Sequence, residues 1–228
     1  MLLRKVCEEC NLPVLSRVEL KAVEGRNPTV IGEGAFGEAL LNPQKNLVIK
    51  FSYNVKSFRN AIIEAKLLQL LHGIEFIQCL VGVCPDELAL VTHYGGPTFK
   101  CLSGLSLEHK ISIGLQIARA FASVHSAGFA HNDIKGDNIC VNMTSAEPVV
   151  TIIDFGMAHV IGTAIRVPCS WQEDLPYAPE ICLNKKVGRC SIQSDVYSIG
   201  QFLCQLFEGP KMPFGLRKWF FDSQKKSP

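Results

Sequence analysis

The sequence predicts an α+β fold in two lobes, a small antiparallel β-rich lobe with one key helix, then a mainly helical lobe. Short apolar runs separated by turns dominate the chain as far as residue 94, and longer stretches with helical periodicity dominate after it. We therefore expect an N-terminal extension at 1–27 and one domain at 28–228. Its two lobes are expected at about 28–94 and 95–228.

The first lobe is predicted from strands that alternate with turns. A glycine-rich turn spans 32–37. Apolar positions at 57–72 lie on one helical face. The pair Gly95 and Gly96 makes a suitable hinge after the last strand. Strands are expected at 28–31, 38–41, 47–51 and 88–92.

The second lobe is predicted from two helices and two short strands. An amphipathic helix begins at Ser106 and ends before Gly128, and another runs from about Ser194 to Phe207. Between them, 139–142 and 149–153 are β-like and are separated by a polar turn.

Composition is that of an ordinary globular chain. Among 228 residues, 47% are hydrophobic and 19% charged, and the net charge of +2 gives no reason to expect nucleic acid or an anionic membrane as partner. No apolar run approaches a bilayer span, and the first residues contain no apolar signal region. We therefore expect a cytoplasmic or nuclear protein that is not secreted.

Ten cysteines are scattered along the chain. In the absence of a signal peptide they are interpreted as reduced, mostly buried, small hydrophobic residues. Cys7 and Cys10 form a C-x-x-C pair, but no second pair accompanies it. A zinc site needs four ligands, so a metal or redox role for this pair is disfavoured.

The glycine-rich segment admits two interpretations. It could be a simple turn in which glycine supplies a positive φ. Strands on both sides favour instead a hairpin whose backbone N–H groups approach phosphate oxygens, because a dinucleotide-binding fold would need a helix after the third glycine. The segment consists of Gly32, Glu33, Gly34, Ala35, Phe36 and Gly37.

Two charged residues look misplaced until they are paired. Lys50 ends an apolar strand, and Glu64 lies among apolar neighbours on the following helix. Each could be an ordinary solvated charge. Pairing explains both positions, since the ammonium can hold phosphate oxygens while the carboxylate fixes it.

The segment 131–138 is dense in polar groups between an apolar helix and an apolar strand. Asp and Asn are common turn formers, but here a candidate base, a cation and an amide occur together. Asp154 follows the next apolar strand. Because Mg²⁺ takes one or two protein oxygen ligands plus substrate phosphates, Asn138 and Asp154 are its candidate ligands.

This set of motifs resembles the eukaryotic protein kinases, in order over nearly the whole chain. Besides the glycine loop, the lysine and the glutamate, it includes counterparts of the family's H-R-D, D-F-G, A-P-E and D-V-W-S-x-G motifs. These are His131 to Asp133, Asp154 to Gly156, Ala178 to Glu180, and Ser194 to Gly200.

The resemblance implies an ATP- and Mg²⁺-dependent kinase acting on serine and threonine hydroxyls of protein substrates. It implies that Asp133 is the catalytic base and that Lys135, typical of the serine/threonine branch, steadies the γ-phosphate. Asp195 would support the catalytic loop from below, and His131 and Phe155 would pack internally. The residues implied in nucleotide binding are Ile31, the glycine loop, Ala39, Lys50, Thr92 at the back of the adenine pocket, and Tyr94.

Four departures from the family pattern matter. Asn132 replaces the arginine of H-R-D, so we expect activity without activation-loop phosphorylation, which phosphatase treatment would test. Ala39 replaces a valine, and the lost methyl groups would weaken ATP binding by about 1 kcal/mol. The segment 170–177 lacks the threonine usual before A-P-E. Finally, 33 residues follow Asp195, which predicts a short second lobe in which Arg217 is a possible partner for Glu180.

Two other functions stay open from the sequence. A pseudokinase, an ATP-binding interaction module without turnover, is the alternative suggested by the short second lobe. A small-molecule kinase of the aminoglycoside type is less favoured, because such enzymes generally lack the A-P-E and D-V-x-S-x-G motifs. The oligomeric state is not predicted.

Overall fold

The computed structural model describes residues 2–165, 176–182 and 188–207. The chain divides into two compact units. The first comprises 1–96 together with 151–156, and the second comprises 97–150 together with 157–228.

The first unit contains a five-stranded antiparallel sheet of order β1-β2-β3-β5-β4. Its middle is apolar on both faces, because Val48 and Ile49 of β3 and Leu90 and Val91 of β5 are all buried. The strands are β1 Thr29–Gly34, β2 Gly37–Asn42, β3 Leu47–Ser52, β4 Leu80–Cys84 and β5 Ala89–His93. Strand β4 was not predicted.

Helix α3 of the first unit spans Val55–Leu70. It begins two residues before the predicted start because Asn54 caps it, accepting a hydrogen bond from the Ser57 amide at 2.9 Å. Its buried face, with Phe58 and Ile62, forms a core with Val83 and Leu90 of the sheet.

The N-terminal extension forms two helices, α1 Leu2–Glu9 and α2 Arg17–Glu24. The sequence left an extra strand, a capping segment or a flexible arm open. Cys7 of α1 joins the core of α3, and Leu20 of α2 packs with Ile49 and Val91 of the sheet. The extension is therefore an integral, capping part of the first unit.

The second unit is built on α4 Leu107–Ser126 and α5 Ile192–Phe207, which contact each other. The buried positions of α4 include Ile113, Ile117 and Phe121, which recur at helical spacing. Short strands complete the unit, with β6 paired to β9 and β10 to β11. Their bounds are β6 Phe129–Ala130, β7 Ile139–Asn142, β8 Val149–Ile152 (which continues into the first unit), β9 His159–Val160, β10 Ala164–Ile165 and β11 Gly188–Arg189.

In the part of the chain that the structure describes, no helix is long and apolar enough to cross a membrane.

Candidate active site

The glycine-rich segment is the tip of the β1–β2 hairpin in the first unit. The strands continue to Gly34 and resume at Gly37, so the turn is confined to two residues and is shorter than predicted. None of the three motif glycines has a positive φ, so the interpretation of this segment as a turn in which glycine supplies a positive φ is wrong. A Cβ at Gly37 would overlap the Phe51 carbonyl oxygen, whereas one at Gly34 would meet open space. Gly37 is therefore required by the close approach of β3.

Lys50 and Glu64 form the ion pair that the sequence predicted. Lys50 Nζ lies 2.7 Å from Glu64 Oε1, joining β3 to α3. The Glu64 side chain is 7% exposed and the Lys50 side chain 25%. The buried carboxylate thus fixes an ammonium that still reaches solvent, as a phosphate-binding lysine requires.

Other candidate nucleotide residues also lie in the first unit. Thr92 is fully buried in β5, and its hydroxyl accepts a hydrogen bond from Gln78 Nε2 at 2.9 Å. Ala39 lies opposite Lys50 in the β2–β3 register. Ile31 is exposed on β1, and Tyr94 directly follows β5.

Asp154 lies in the first unit, two residues after β8. Its backbone has φ of 62°, a left-handed conformation that is uncommon for residues other than glycine. Its Oδ1 accepts a long hydrogen bond of 3.4 Å from the Gly156 amide. Such an uncommon conformation is maintained by its surroundings and often marks a functional position.

Asp133 is the centre of a polar group in the second unit. Lys135 Nζ contacts both carboxylate oxygens, at 2.9 Å and 2.8 Å. Asn138 Nδ2 donates to Asp133 Oδ2 at 2.7 Å and to the Asp133 backbone carbonyl at 2.8 Å. The structure therefore brings together the candidate base, the cation and the amide.

The loop that carries Asp133 is supported by a buried carboxylate on α5. Asp195 accepts hydrogen bonds from the backbone amides of His131 and Asn132, both at 2.8 Å, as the resemblance implied. It also lies 2.9 Å from His125 Nε2 on α4, a contact that the sequence did not suggest. The ring of His131 packs edge-on against Phe121.

Asn132 stands where the family has arginine, and its amide bonds backbone carbonyls of the chain. It is buried, has φ of 62°, and donates to the carbonyls of Ala130 and Met157 at 3.0 Å and 3.1 Å. A short amide side chain that bonds two backbone carbonyls therefore stands here in place of a long cationic one.

Comparison with known proteins agrees with this geometry. The protein kinase domain family matches residues 26–220. The chain belongs to the protein kinase family. It is similar to tyrosine-protein kinase Fgr of Mus musculus, with 27% identity over 204 residues, which cover 81% of this chain and 37% of that protein. The chain thus spans well under half the length of that relative.

Asn138 of the second unit and Asp154 of the first unit are the candidate Mg²⁺ ligands predicted from the sequence. Asn138 donates to Asp133 through Nδ2 in both hydrogen bonds, which leaves its amide oxygen as a candidate cation ligand. Asp154 supplies a carboxylate, and hard oxygen donors are what Mg²⁺ prefers. Among residues 2–165, 176–182 and 188–207, no cluster of three or more His, Cys, Asp or Glu side chains is placed to hold a metal ion.

One contact of Asp133, the candidate base, was missed in the sequence. The hydroxyl of Tyr177, directly before the A-P-E motif, donates to Asp133 Oδ1 at 2.8 Å. No motif links the two residues, and only the position of Tyr177 beside A-P-E could have drawn attention to it. Residues 170–175 and Arg217 lie outside the described residues, so the predictions made for them stay predictions.

Proposed function

We propose that this kinase domain transfers the γ-phosphate of ATP to serine and threonine hydroxyls of protein substrates. The observation that carries the proposal is the Asp133 carboxylate, held by Lys135 and Asn138 on a loop supported by Asp195. A general base must be oriented toward the proton it receives, and these contacts orient it.

In this mechanism the acceptor oxygen forms a bond to the γ-phosphorus of ATP. The bond from that phosphorus to the β–γ bridging oxygen breaks, and ADP leaves with the electron pair. The proton of the acceptor hydroxyl passes to Asp133. Lys135, 2.8 Å from the same carboxylate, would stabilise charge on the transferred group.

The first unit would supply nucleotide binding. Lys50, fixed by Glu64, would hold phosphate oxygens, and the β1–β2 hairpin would present backbone N–H groups to them. Mg²⁺, when held by Asn138 and Asp154, would neutralise phosphate charge. Catalysis would then consist mainly of positioning and charge stabilisation.

Specificity for serine and threonine is supported by Lys135, which matches the pattern of that branch. The relative Fgr is by its name a tyrosine kinase. Dephosphorylated casein and a random glutamate–tyrosine copolymer, assayed side by side, separate the two classes. Transfer to the copolymer alone would contradict the proposal for serine and threonine while leaving the kinase activity standing.

The decisive assay compares wild type with Asp133→Asn for transfer of labelled γ-phosphate from ATP and Mg²⁺ to casein. We expect a loss of about 10²–10⁴-fold, the usual contribution of a general base. Asp137→Asn is the matched control, since Asp137 lies on the same loop but pairs at the surface with Lys100. A folded wild type that binds ATP without transferring phosphate would instead indicate an ATP-binding interaction module.

A further inference from the structure

The Asp133 carboxylate has its hydrogen-bonding capacity filled from within the chain. Oδ1 accepts from Lys135 and Tyr177, and Oδ2 accepts from Lys135 and Asn138. An ionised carboxylate offers about four lone-pair sites. A substrate hydroxyl can therefore donate its proton to Asp133 only after one of these donors withdraws.

The three donors differ in how easily they leave. Lys135 contacts both oxygens and is charged, so its removal costs most. Asn138 is buried and also bonds the Asp133 backbone carbonyl, so its amide is fixed twice. Tyr177 is half-buried and supplies a single neutral O–H. Its phenolic O–H is, like the hydroxyl of an acceptor, an O–H donor, so exchange replaces one O–H donor with another.

The Tyr177 ring is held in place by packing. It lies against an apolar cluster of the second unit that includes Ala130, Ala178 and Ile181. This packing directs the hydroxyl to the base, while the carboxylate orientation is already set by Lys135 and Asn138. A third donor is not needed to orient Asp133.

From these contacts we infer that Tyr177 occupies the acceptor-hydroxyl position on Asp133 and competes with the substrate hydroxyl for it. Tyr177 is then a residue that controls acceptor binding rather than a catalytic group. This inference rests on the proposed function, since it takes Asp133 as the base.

The test is steady-state kinetics of wild type, Tyr177→Phe and Tyr197→Phe with a synthetic acceptor peptide. Phenylalanine keeps the ring and removes only the competing hydroxyl. Tyr197 is the matched control because it packs against the same cluster, while its hydroxyl accepts from Gln201. We expect Tyr177→Phe to lower KM for the peptide by about tenfold, the equivalent of one hydrogen bond to a charged group. We expect kcat and KM for ATP to stay unchanged, and Tyr197→Phe to behave as wild type.

Two kinetic outcomes would overturn the inference. An unchanged peptide KM would show that Tyr177 does not compete. A fall in kcat at constant KM would show that Tyr177 positions the base instead.

Peptide binding measured by fluorescence anisotropy decides the inference separately from turnover. Tyr177→Phe should bind the hydroxyl-bearing peptide about tenfold more tightly. For a counterpart peptide in which alanine replaces the acceptor residue, Tyr177→Phe should bind no more tightly than wild type. Equal gains for both peptides would mean that the substitution merely opened space, which contradicts competition. Absence of phosphate transfer in all three proteins would defeat the proposed function, and the binding comparison would still report on the competition.

Discussion

Burial controls the chemistry of individual cysteines in this protein. Cys7 of the C-x-x-C pair is completely buried, and burial raises the pKa of its thiol to about 11. The nearby Cys10 makes a smaller contribution to the same shift of the pKa. Because the thiolate is the reactive form, this environment makes Cys7 an inert core residue.

We predict that iodoacetamide at pH 8 labels the exposed Cys79 and Cys101 but leaves Cys7 unlabelled. With a pKa of about 11, roughly one Cys7 thiol in a thousand is ionised at pH 8, and the fraction rises only as the pH approaches 11. Peptide mass spectrometry measures the labelling. The same reaction in guanidinium chloride is the control, since unfolding should make Cys7 as reactive as the others. Labelling of native Cys7 at the rate of Cys79 would contradict the prediction.

At the residue scale, the sequence predicted a contact where two charged residues in unusual positions could pair with each other. Lys50 at a strand end and Glu64 on an apolar helix were each unusual, and the structure pairs them. The contact of Tyr177 with Asp133 spans 44 positions and belongs to no periodic pattern. It arises from the packing of the Tyr177 ring, which neither residue's local sequence encodes.

At the element scale, the close approach of β2 and β3 leaves no room for a side chain at Gly37. A Cβ there would overlap the carbonyl oxygen of Phe51, the backbone of the neighbouring strand. Gly34, three residues earlier on the same hairpin, faces open space. Of these two motif glycines, only Gly37 is required by the packing of the hairpin.

We predict that Gly37→Ala lowers the free energy of unfolding by about 1–3 kcal/mol, the usual cost of overpacking. Gly34→Ala is the matched control, and we expect it not to destabilise the fold, since it introduces no overlap and restricts the unfolded chain. Urea denaturation of both variants and wild type measures the difference. Equal stability of the two variants would show that β3 can move away from β2 at no cost in the free energy of unfolding.

Elements with strong local signals were predictable, and those defined by packing were not. Helix α4 showed its apolar face in the sequence, and the structure places it one residue inside the predicted start. Strand β4 was missed. Its Gly82 has no side chain to show a pattern, because a Cβ there would collide with Pro13 and Leu15 of the N-terminal extension. That reason is visible only when the extension is folded against the strand.

At the scale of the whole molecule, the motifs in sequence order predicted the architecture because each is tied to a particular element. The motif order predicted Lys50 on a strand, Glu64 on a helix, Asp133 on a loop and Asp195 on a later helix. The structure has each residue on that kind of element. What holds those elements together was less predictable. The contact of Asp195 with His125 spans 70 positions and joins α5 to α4.

Asp195 is the residue whose loss should disturb the second unit most widely. Its buried carboxylate joins α4, α5 and the loop of Asp133 through hydrogen bonds to His125, His131 and Asn132. Asparagine keeps the size of the side chain but has a single acceptor oxygen. In Asp195→Asn, an NH₂ group therefore faces the backbone N–H of either His131 or Asn132, which leaves a buried donor unpaired.

We predict that Asp195→Asn lowers the free energy of unfolding by about 3 kcal/mol, as expected for loss of a buried carboxylate bonded to several donors. Asp137→Asn is the matched control. Its carboxylate is 45% exposed and pairs with a Lys100 that is 63% exposed, so we expect a loss of about 1 kcal/mol or less. Guanidinium chloride denaturation measures both variants against wild type. Hydrogen exchange of either the His131 or the Asn132 amide should increase only in Asp195→Asn, because only that substitution removes the acceptor of one of them. Similar stability losses in the two variants, with both amides still protected, would show that the loop is held by its other contacts.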